Sequence, residues 1–315
     1  MEVLQFAWWN TGLAPPTPRV TPTAENRVSV AAVIAELVLD QACALIGVAE
    51  VWKENPIDLV PESARPKWRC VNAAKDDGEV RHDVALLYDS TRLAVIDFTW
   101  LGTWHDGRRV KPGLVVNMRT ENGPLVIAVA HWSSDMGDSE HARARRQRAA
   151  EALRYGVANA VQLDIPVMVM GDLNLEPFDP SLTAFPTSRA REVVRRHKPR
   201  DPTDTLFYNA SWRWMGERHA GGPDSPSPSI AGTYWNSSQT STSWRTFDHV
   251  MVSAALLGNT GWVLSEAQLG VWAETPHFDD WRAPRAALFD HLPIVGLLRW
   301  CPALTAEASS EGAVR

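Results

Sequence analysis

Eight side chains able to bind a cation or move a proton stand where apolar runs of this sequence give way to loops: Asn10, Glu50, His131, Asp172, Asn174, Asp248, Asp290 and His291. The clearest case is Val167-Met-Val-Met-Gly-Asp-Leu-Asn174, an apolar run followed by a carboxylate and an amide two residues apart. Side chains at i and i+2 leave a strand on the same side, and open α/β sheets bind ligands beyond their strand ends. Alone, Gly-Asp-Leu-Asn reads equally well as a strand closed by an Asx turn. Eight such residues at separate junctions say more, because ligand groups in layered α/β proteins converge from strand ends. The set is rich in hard oxygen donors, adds two imidazoles, and lacks the thiolate or clustered-histidine spacing of zinc sites. Such donors suit Mg2+, with Mn2+ as the alternative.

The elements that must position these groups are legible as an alternation of strands and helices. Leu4 to Trp9 reads as a strand that ends on Asn10, and the apolar spacing of Val30, Val33, Ile34, Leu37 and Val38 predicts a helix over 25–39. A second strand, 44–49, ends on Glu50, and a right-handed crossover would bring both ends to one edge of a sheet. Residues 83–88 and 93–98 read as a hairpin, as do 115–118 and 125–130, the latter ending on His131. An Ala- and Arg-rich helix over 140–159 leads to the Val167 strand. Residues 175–245 form a long Pro- and Gly-rich insert with one helical piece at 188–197, of a length that is usually functional or mobile. Strands at 247–253 and 294–298 complete a single domain over 1–301, and 302–315 is expected to be a disordered tail.

Of 315 residues, 45% are apolar and the formal net charge is −6. That excludes a strongly basic surface, though not a local basic patch. The 15 Trp are many for this length; they read first as core anchors and alternatively as a stacking surface. Trp132, Ser134, Trp212 and Trp235 are the candidate substrate contacts. Three cysteines without metal-type spacing, no signal peptide and no membrane-length apolar run lead us to expect a reduced, cytoplasmic protein. Arg143, Arg145, Arg146 and Arg148 read as the solvated face of their helix. The cluster Arg189, Arg191, Arg195, Arg196, His197, Lys198 and Arg200 divides evenly between a solvated surface and a polyanion contact. Asp83 reads first as a strand-start residue facing water, and alternatively as the group that orients His131. His249 reads as a core-satisfying or surface histidine.

Taken in order, Trp8-Trp-Asn10-Thr-Gly12, Ala49-Glu50-Val51, His131-Trp-Ser-Ser134, Gly171-Asp-Leu-Asn174, Phe247-Asp-His249 and Phe289-Asp-His291-Leu-Pro293 resemble the motifs of the endonuclease/exonuclease/phosphatase superfamily, the fold of deoxyribonuclease I. The resemblance runs over nearly the whole chain. It implies a four-layer α-β-β-α sandwich with two packed mixed sheets and metal-dependent cleavage of phosphate esters. By matching motif, Glu50 is implied as the main metal ligand, with Asn10 in support and Asp290 beside the metal. Asp172 is implied to deprotonate the attacking water, and Asn174 to hold the phosphate or nucleophile. His291 is implied to contact the scissile phosphate, with Asp248 fixing its tautomer, and His131 resembles the histidine at that strand end in deoxyribonuclease I. The aromatic stretches 206–216 and 232–236 resemble bacterial members of the superfamily without indicating a substrate.

The leading expectation is a Mg2+-dependent nuclease with DNA as substrate. The competing readings are a phosphatase or phosphodiesterase of small or lipid-linked phosphates, and a binding module without catalysis. The last ranks lowest, because every expected catalytic side chain is present.

Overall fold

A computed structural model describes residues 2–15, 21–52, 54–72, 82–134, 140–201, 203–219, 229–236, 243–275, 277–278 and 289–303. The expected tail from residue 304 onward lies outside them, as do residues 220–228 of the expected insert.

The chain opens with β1 (Val3–Ala14), α1 (Ala24–Leu39), β2 (Cys43–Val51), β3 (Trp68–Asn72) and β4 (Ala85–Asp89). A long hairpin follows, β5 (Ala94–His105) and β6 (Arg108–Thr120), then β7 (Gly123–His131), α2 (Glu140–Gln162) and β8 (Val167–Asp172). The insert holds β9 (Thr187–Ser188), α3 (Arg191–Arg196), β10 (Phe207–Asn209), β11 (Arg218–His219), β12 (Ser229–Ile230), β13 (Tyr234–Trp235) and β14 (Trp244–Arg245). The chain returns through β15 (Asp248–Val252), β16 (Gly261–Leu264), β17 (Gly270–Val271) and β18 (Ile294–Cys301).

Two mixed sheets result. One runs β16-β18-β1-β2-β4-β3, with β17 also on β18; the other runs β5-β6-β7-β8-β15-β10-β9. The predicted strand–helix–strand unit is present: β1 and β2 are parallel, and α1 makes the crossover. Thr23 caps α1 by accepting the Asn26 N–H, and Val30, Val33, Ile34 and Leu37 lie along one face of the helix at the spacing that buries a single stripe.

Strands buried on both faces explain the long apolar runs. Along β1, Leu4, Phe6 and Trp8 point between the sheets, where they meet Leu114, Ile127, Met168, Met170 and Val250. Ala7 and Trp9 point the other way, under α1. On the outer face of the second sheet, Ala149, Ala150, Leu153 and Val157 of α2 cover Val126, Ala128 and Val169. Three apolar layers between four structural layers make the α-β-β-α sandwich that the motifs implied. Truncating a central member such as Met170 to Ala would cost roughly 2–5 kcal/mol.

Three expectations need correction. Residues 83–98 are not a hairpin: β4 and β5 belong to different sheets, and Leu93 is buried between them as the chain crosses. Alternating apolar residues specify a half-buried strand but not its partner. The real hairpin joins β5 to β6 at Asp106-Gly107, both with positive φ (47° and 69°), the Asp-Gly pairing that a tight primed turn needs. Arg146 is not on a solvated face; it is 7% exposed, because α2 turns that side toward the protein. Asn10 does not end its strand, since β1 continues to Ala14 with a register shift between Asn10 and Ala14.

Candidate active site

At one end of the sandwich, backbone irregularities aim the polar groups inward. The β1 bulge carries Asn10. Glu50 in β2 and Asn174 after β8 both stand in the left-handed region, with φ of 57° and 51°. A non-glycine residue there carries strain of roughly 1–3 kcal/mol that surrounding structure must hold. Asn174 is fixed by its own hydrogen bonds: its N–H donates to Asp172 Oδ1 at 2.9 Å, and its amide donates to the Trp132 carbonyl at 3.0 Å.

Asp172 is the centre. It is 1% exposed and lies opposite both His131 of β7 and Asp248 of β15 in the sheet register. Its Oδ2 accepts the Asn10 amide at 2.9 Å and lies 3.7 Å from His131 Nε2 and 3.6 Å from His291 Nε2. Burial, reinforced by the Asp248 charge, raises the Asp172 carboxyl to about 6 against the pull of His291, His131 and Asn10.

Each imidazole is held from behind. His291 Nδ1 is 2.7 Å from Asp248 Oδ2, and Asp248 Oδ1 accepts the Trp8 indole N–H at 2.8 Å. Trp8 thus packs the core with its rings and aims a carboxylate with its nitrogen. His131 Nδ1 is 2.5 Å from Asp83 Oδ2. Asp83 is therefore not a water-facing residue; it is 1% exposed. Its backbone carbonyl accepts the Val51 N–H, and its Oδ1 takes the Lys111 ammonium at 2.8 Å. Burial disfavours protonation of both imidazoles, but the carboxylates overcome it. His131 rises to about 9, mainly through Asp83 and then Asp172. His291 rises well above the ordinary histidine value, mainly through Asp248 and Asp172. Burial would raise Asp83, but His131 and Lys111 hold it well below the usual carboxylate range.

Asp172, Asp248 and His291 offer ligand atoms within 4.8 Å of one another. Both Asp248 oxygens are already engaged, so we read this trio as a proton-holding relay rather than a cation pocket. Glu50 fits a cation better. It is half-buried, and among the described residues its Oε1 makes long contacts, 3.4 Å to the Asn10 amide and 3.8 Å to His131 Nε2. Asp290 is exposed nearby: a Cβ added at Gly12, beside the β1 bulge, would lie 3.9 Å from Asp290 Oδ1. Oxygen donors from Glu50, Asn10 and Asp290 match the preference of a hard divalent ion.

The insert forms a wall of this site. Trp235 N–H donates to the Asp290 carbonyl and Leu292 N–H to the Thr233 carbonyl, both at 2.8 Å. Thr233 Oγ1 accepts the Asp248 N–H at 3.0 Å. The Tyr234 ring lies 4.7 Å from the His291 ring and stacks on Phe247 at 5.2 Å. Asp83 takes the role that the sequence offered only as its second reading, orienting His131, while Lys111, Trp8, Thr233 and Tyr234 were not singled out as site residues from the sequence. Their roles depend on cross-sheet contacts that no local spacing encodes.

The candidate substrate contacts fare unevenly. Trp132 is core, 1% exposed beneath α2, with its indole N–H on the Pro112 carbonyl; strand alternation turns it away from His131. Ser134 is exposed. Trp212 is half-exposed against Phe178 and Arg189. Trp235 sits beside the Asp290 loop against Trp244. His249 is a core-satisfying residue: its Nδ1 accepts the Asn209 amide, and its Nε2–H donates to the Leu175 carbonyl. Burial lowers it to about 4.

Comparison with known proteins agrees with this fold. A family model described as endonuclease/exonuclease/phosphatase family matches residues 22–210. No curated protein matches the chain. Among solved structures, an endonuclease/exonuclease/phosphatase family protein from Bacteroides thetaiotaomicron is 16% identical with a TM-score of 0.62, over 95% of this chain and 98% of that one. D. rerio TDP2 complexed with single strand DNA product is 14% identical with a TM-score of 0.60, over 95% and 100%. The B. thetaiotaomicron mannosyl-6-phosphatase Bt3783 is 15% identical with a TM-score of 0.57, over 94% and 100%. The family model spans more than half of the sequence and the fold extends over the remainder, so the chain belongs to the endonuclease/exonuclease/phosphatase family of hydrolases.

Proposed function

We propose that this hydrolase is a divalent-cation-dependent phosphodiesterase that cleaves nucleic acid, with DNA as its substrate. The observation that supports the reaction is the placement of two aspartate-backed imidazoles on one carboxylate oxygen, Asp172 Oδ2, at 3.7 and 3.6 Å. Glu50 and Asn10, with Asp290, would hold Mg2+, which when bound offsets charge on the phosphoryl oxygens.

The side chains supply the remaining chemistry. Asp172 accepts a proton from the attacking water, a task suited to a carboxyl raised toward neutrality. Asn174 and Asn10 fix its two oxygens. As water adds to phosphorus, His131 and His291 donate Nε2–H bonds to the oxygens that gain charge, each worth roughly 3 kcal/mol in comparable sites. The bond from phosphorus to the leaving oxygen breaks, and that oxygen takes a proton from an imidazolium. Asp83 and Asp248 keep both rings protonated on Nδ1 and pointed inward.

A DNA product in a fold relative supports the nucleic-acid substrate. A phosphatase in another relative favours the second reading, hydrolysis of a small phosphomonoester. So do the local ion pairs of Arg195 and Arg196 with Glu192, which occupy part of the basic cluster in the insert. The test is turnover with Mg2+ against closed plasmid, linear duplex, single strand, RNA and sugar phosphates. Nicking of plasmid supports the nuclease; turnover of sugar phosphates alone transfers the assignment to the phosphatase.

A further inference from the structure

The β5–β6 hairpin outruns the sheet that carries it. Counting back from the Leu114–Val129 pair sets Pro112 opposite His131, the last residue of β7. Residues 103–105 and 108–111 therefore stand past the catalytic end, an arm of about 13 Å at strand rise. Its root is tied to the site, because Lys111 binds Asp83, which holds His131.

The two faces of the arm differ. Val110 packs on the α2 side, so its strand neighbour Arg109 faces the opposite way, the side of Lys111 and Asp83. Arg109 pairs with Trp104 across the hairpin, with the guanidinium 5.8 Å from the indole ring. Trp104 is 55% exposed, a large apolar plate in water beside a cation. Four residues back along β5, on that face, the Trp100 ring lies 4.3 Å from the ring of His82, the residue before Asp83, at a tilt of 58°. Arg108 lies on the other face with His105, Asp106, His141 and Arg145, around a cleft of about 500 Å³. There the Asp106 carboxylate, 3.2 Å from His105, offsets part of the positive charge.

We propose that the inner face of this arm, Trp104 with Arg109, is a binding surface for a nucleic-acid strand flanking the scissile phosphate. The proposal rests on the nuclease reading above. Arg109 takes a backbone phosphate and Trp104 stacks a base or covers its sugar, a sequence-tolerant combination of charge and aromatic plate. The surface continues from the reacting groups through Lys111. The arm's reach of about 13 Å corresponds to roughly four nucleotide steps of 3.4 Å rise.

The experiment measures binding of a fluorescein-labelled oligonucleotide duplex and single strand to the full chain in EDTA, so that catalysis does not enter. Arg109→Gln and Trp104→Ala are compared with Arg108→Gln, which removes the same charge from the same strand on the opposite face. Melting temperatures verify that all three fold. Arg109→Gln is expected to weaken binding and to make the dependence of log Kobs on log salt shallower by about 1. Trp104→Ala weakens binding with the salt slope unchanged, and Arg108→Gln stays at the wild-type value. Equal weakening by Arg108→Gln and Arg109→Gln would reduce the effect to general charge and overturn the proposal. So would oligonucleotide binding too weak to measure in the wild type. Hydrolysis of the small diester bis(p-nitrophenyl) phosphate, measured separately, tells failure of the arm from failure of the phosphodiesterase reading.

Discussion

His131 Nδ1 lies 2.5 Å from Asp83 Oδ2, and this pair repeats, from the other side of Asp172, the 2.7 Å arrangement of His291 with Asp248. Both pairs cross the sandwich: His291 leads into β18 of the first sheet and Asp248 opens β15 of the second, whereas His131 ends β7 of the second sheet and Asp83 stands just before β4 of the first. Lys111 of β6 also grips Asp83. This end of the molecule is thus stitched across the sandwich by an ion pair and two histidine–carboxylate bonds.

Replacing Asp83 by Asn leaves a neutral group of the same shape behind His131. The imidazole loses the charge that keeps it protonated, and Lys111 loses its partner. Small-diester turnover is expected to fall in kcat by about 100-fold or more, with KM nearly unchanged. Breaking the buried pair costs roughly 3 kcal/mol, readable as a lower urea midpoint.

Glu50 holds a left-handed backbone that glycine adopts without strain. Glu50→Gly is therefore expected to stabilise the fold by about 1 kcal/mol while abolishing metal-dependent activity. A calorimetric scan would show a higher melting temperature that no longer responds to Mg2+. An unchanged response to Mg2+ would place the cation elsewhere.

His249 makes stability pH-dependent away from the reacting groups. Its folded value near 4 lies below the roughly 6.5 of an unfolded histidine, so the unfolded chain takes the proton first as pH falls. The stability this neutral histidine contributes is complete above pH 6.5 and is lost as pH drops toward 4, by at most about 3 kcal/mol. His249→Asn should be less stable at pH 7 yet lack that increment of slope in the melting temperature between pH 6.5 and 4.

Gly232 tests the wall. A Cβ there would sit 2.3 Å from the Arg245 carbonyl oxygen, and its φ of 156° strains any other residue. Gly232→Ala is expected to displace Thr233 and Tyr234 and with them the Asp290–Leu292 loop. Activity should drop at least about tenfold for a destabilisation of only about 1–2 kcal/mol.

The sequence was informative where chemistry coincides with strand ends. Gly171-Asp172 and Asp248 in β15 lie directly across one ladder, and the βαβ order of β1, α1 and β2 follows from periodicity. It was uninformative about partners across the sandwich. Asp83 read first as a polar residue opening a strand and only second as the partner of His131, because it is the packing of one sheet on the other that brings the two together. The false hairpin over 83–98 has the same cause: alternation gives the face of a strand, not its neighbour. Trp132 shows the reverse error, a tryptophan beside His131 that alternation sends into the core. The wall formed by the insert rests on three hydrogen bonds and a ring stack that no spacing announces.

The central claim is that Asp172 and His291 act as one unit on a phosphate ester. The direct test is a double-mutant cycle on bis(p-nitrophenyl) phosphate hydrolysis, with Asp172→Asn, His291→Gln and the double variant, each with Mg2+ and with EDTA. Groups that act together lose their effect together, so each single variant should cost nearly as much as the double, and EDTA should abolish wild-type turnover. Losses that simply multiply, or turnover that survives Asp172→Asn or EDTA, would contradict the account.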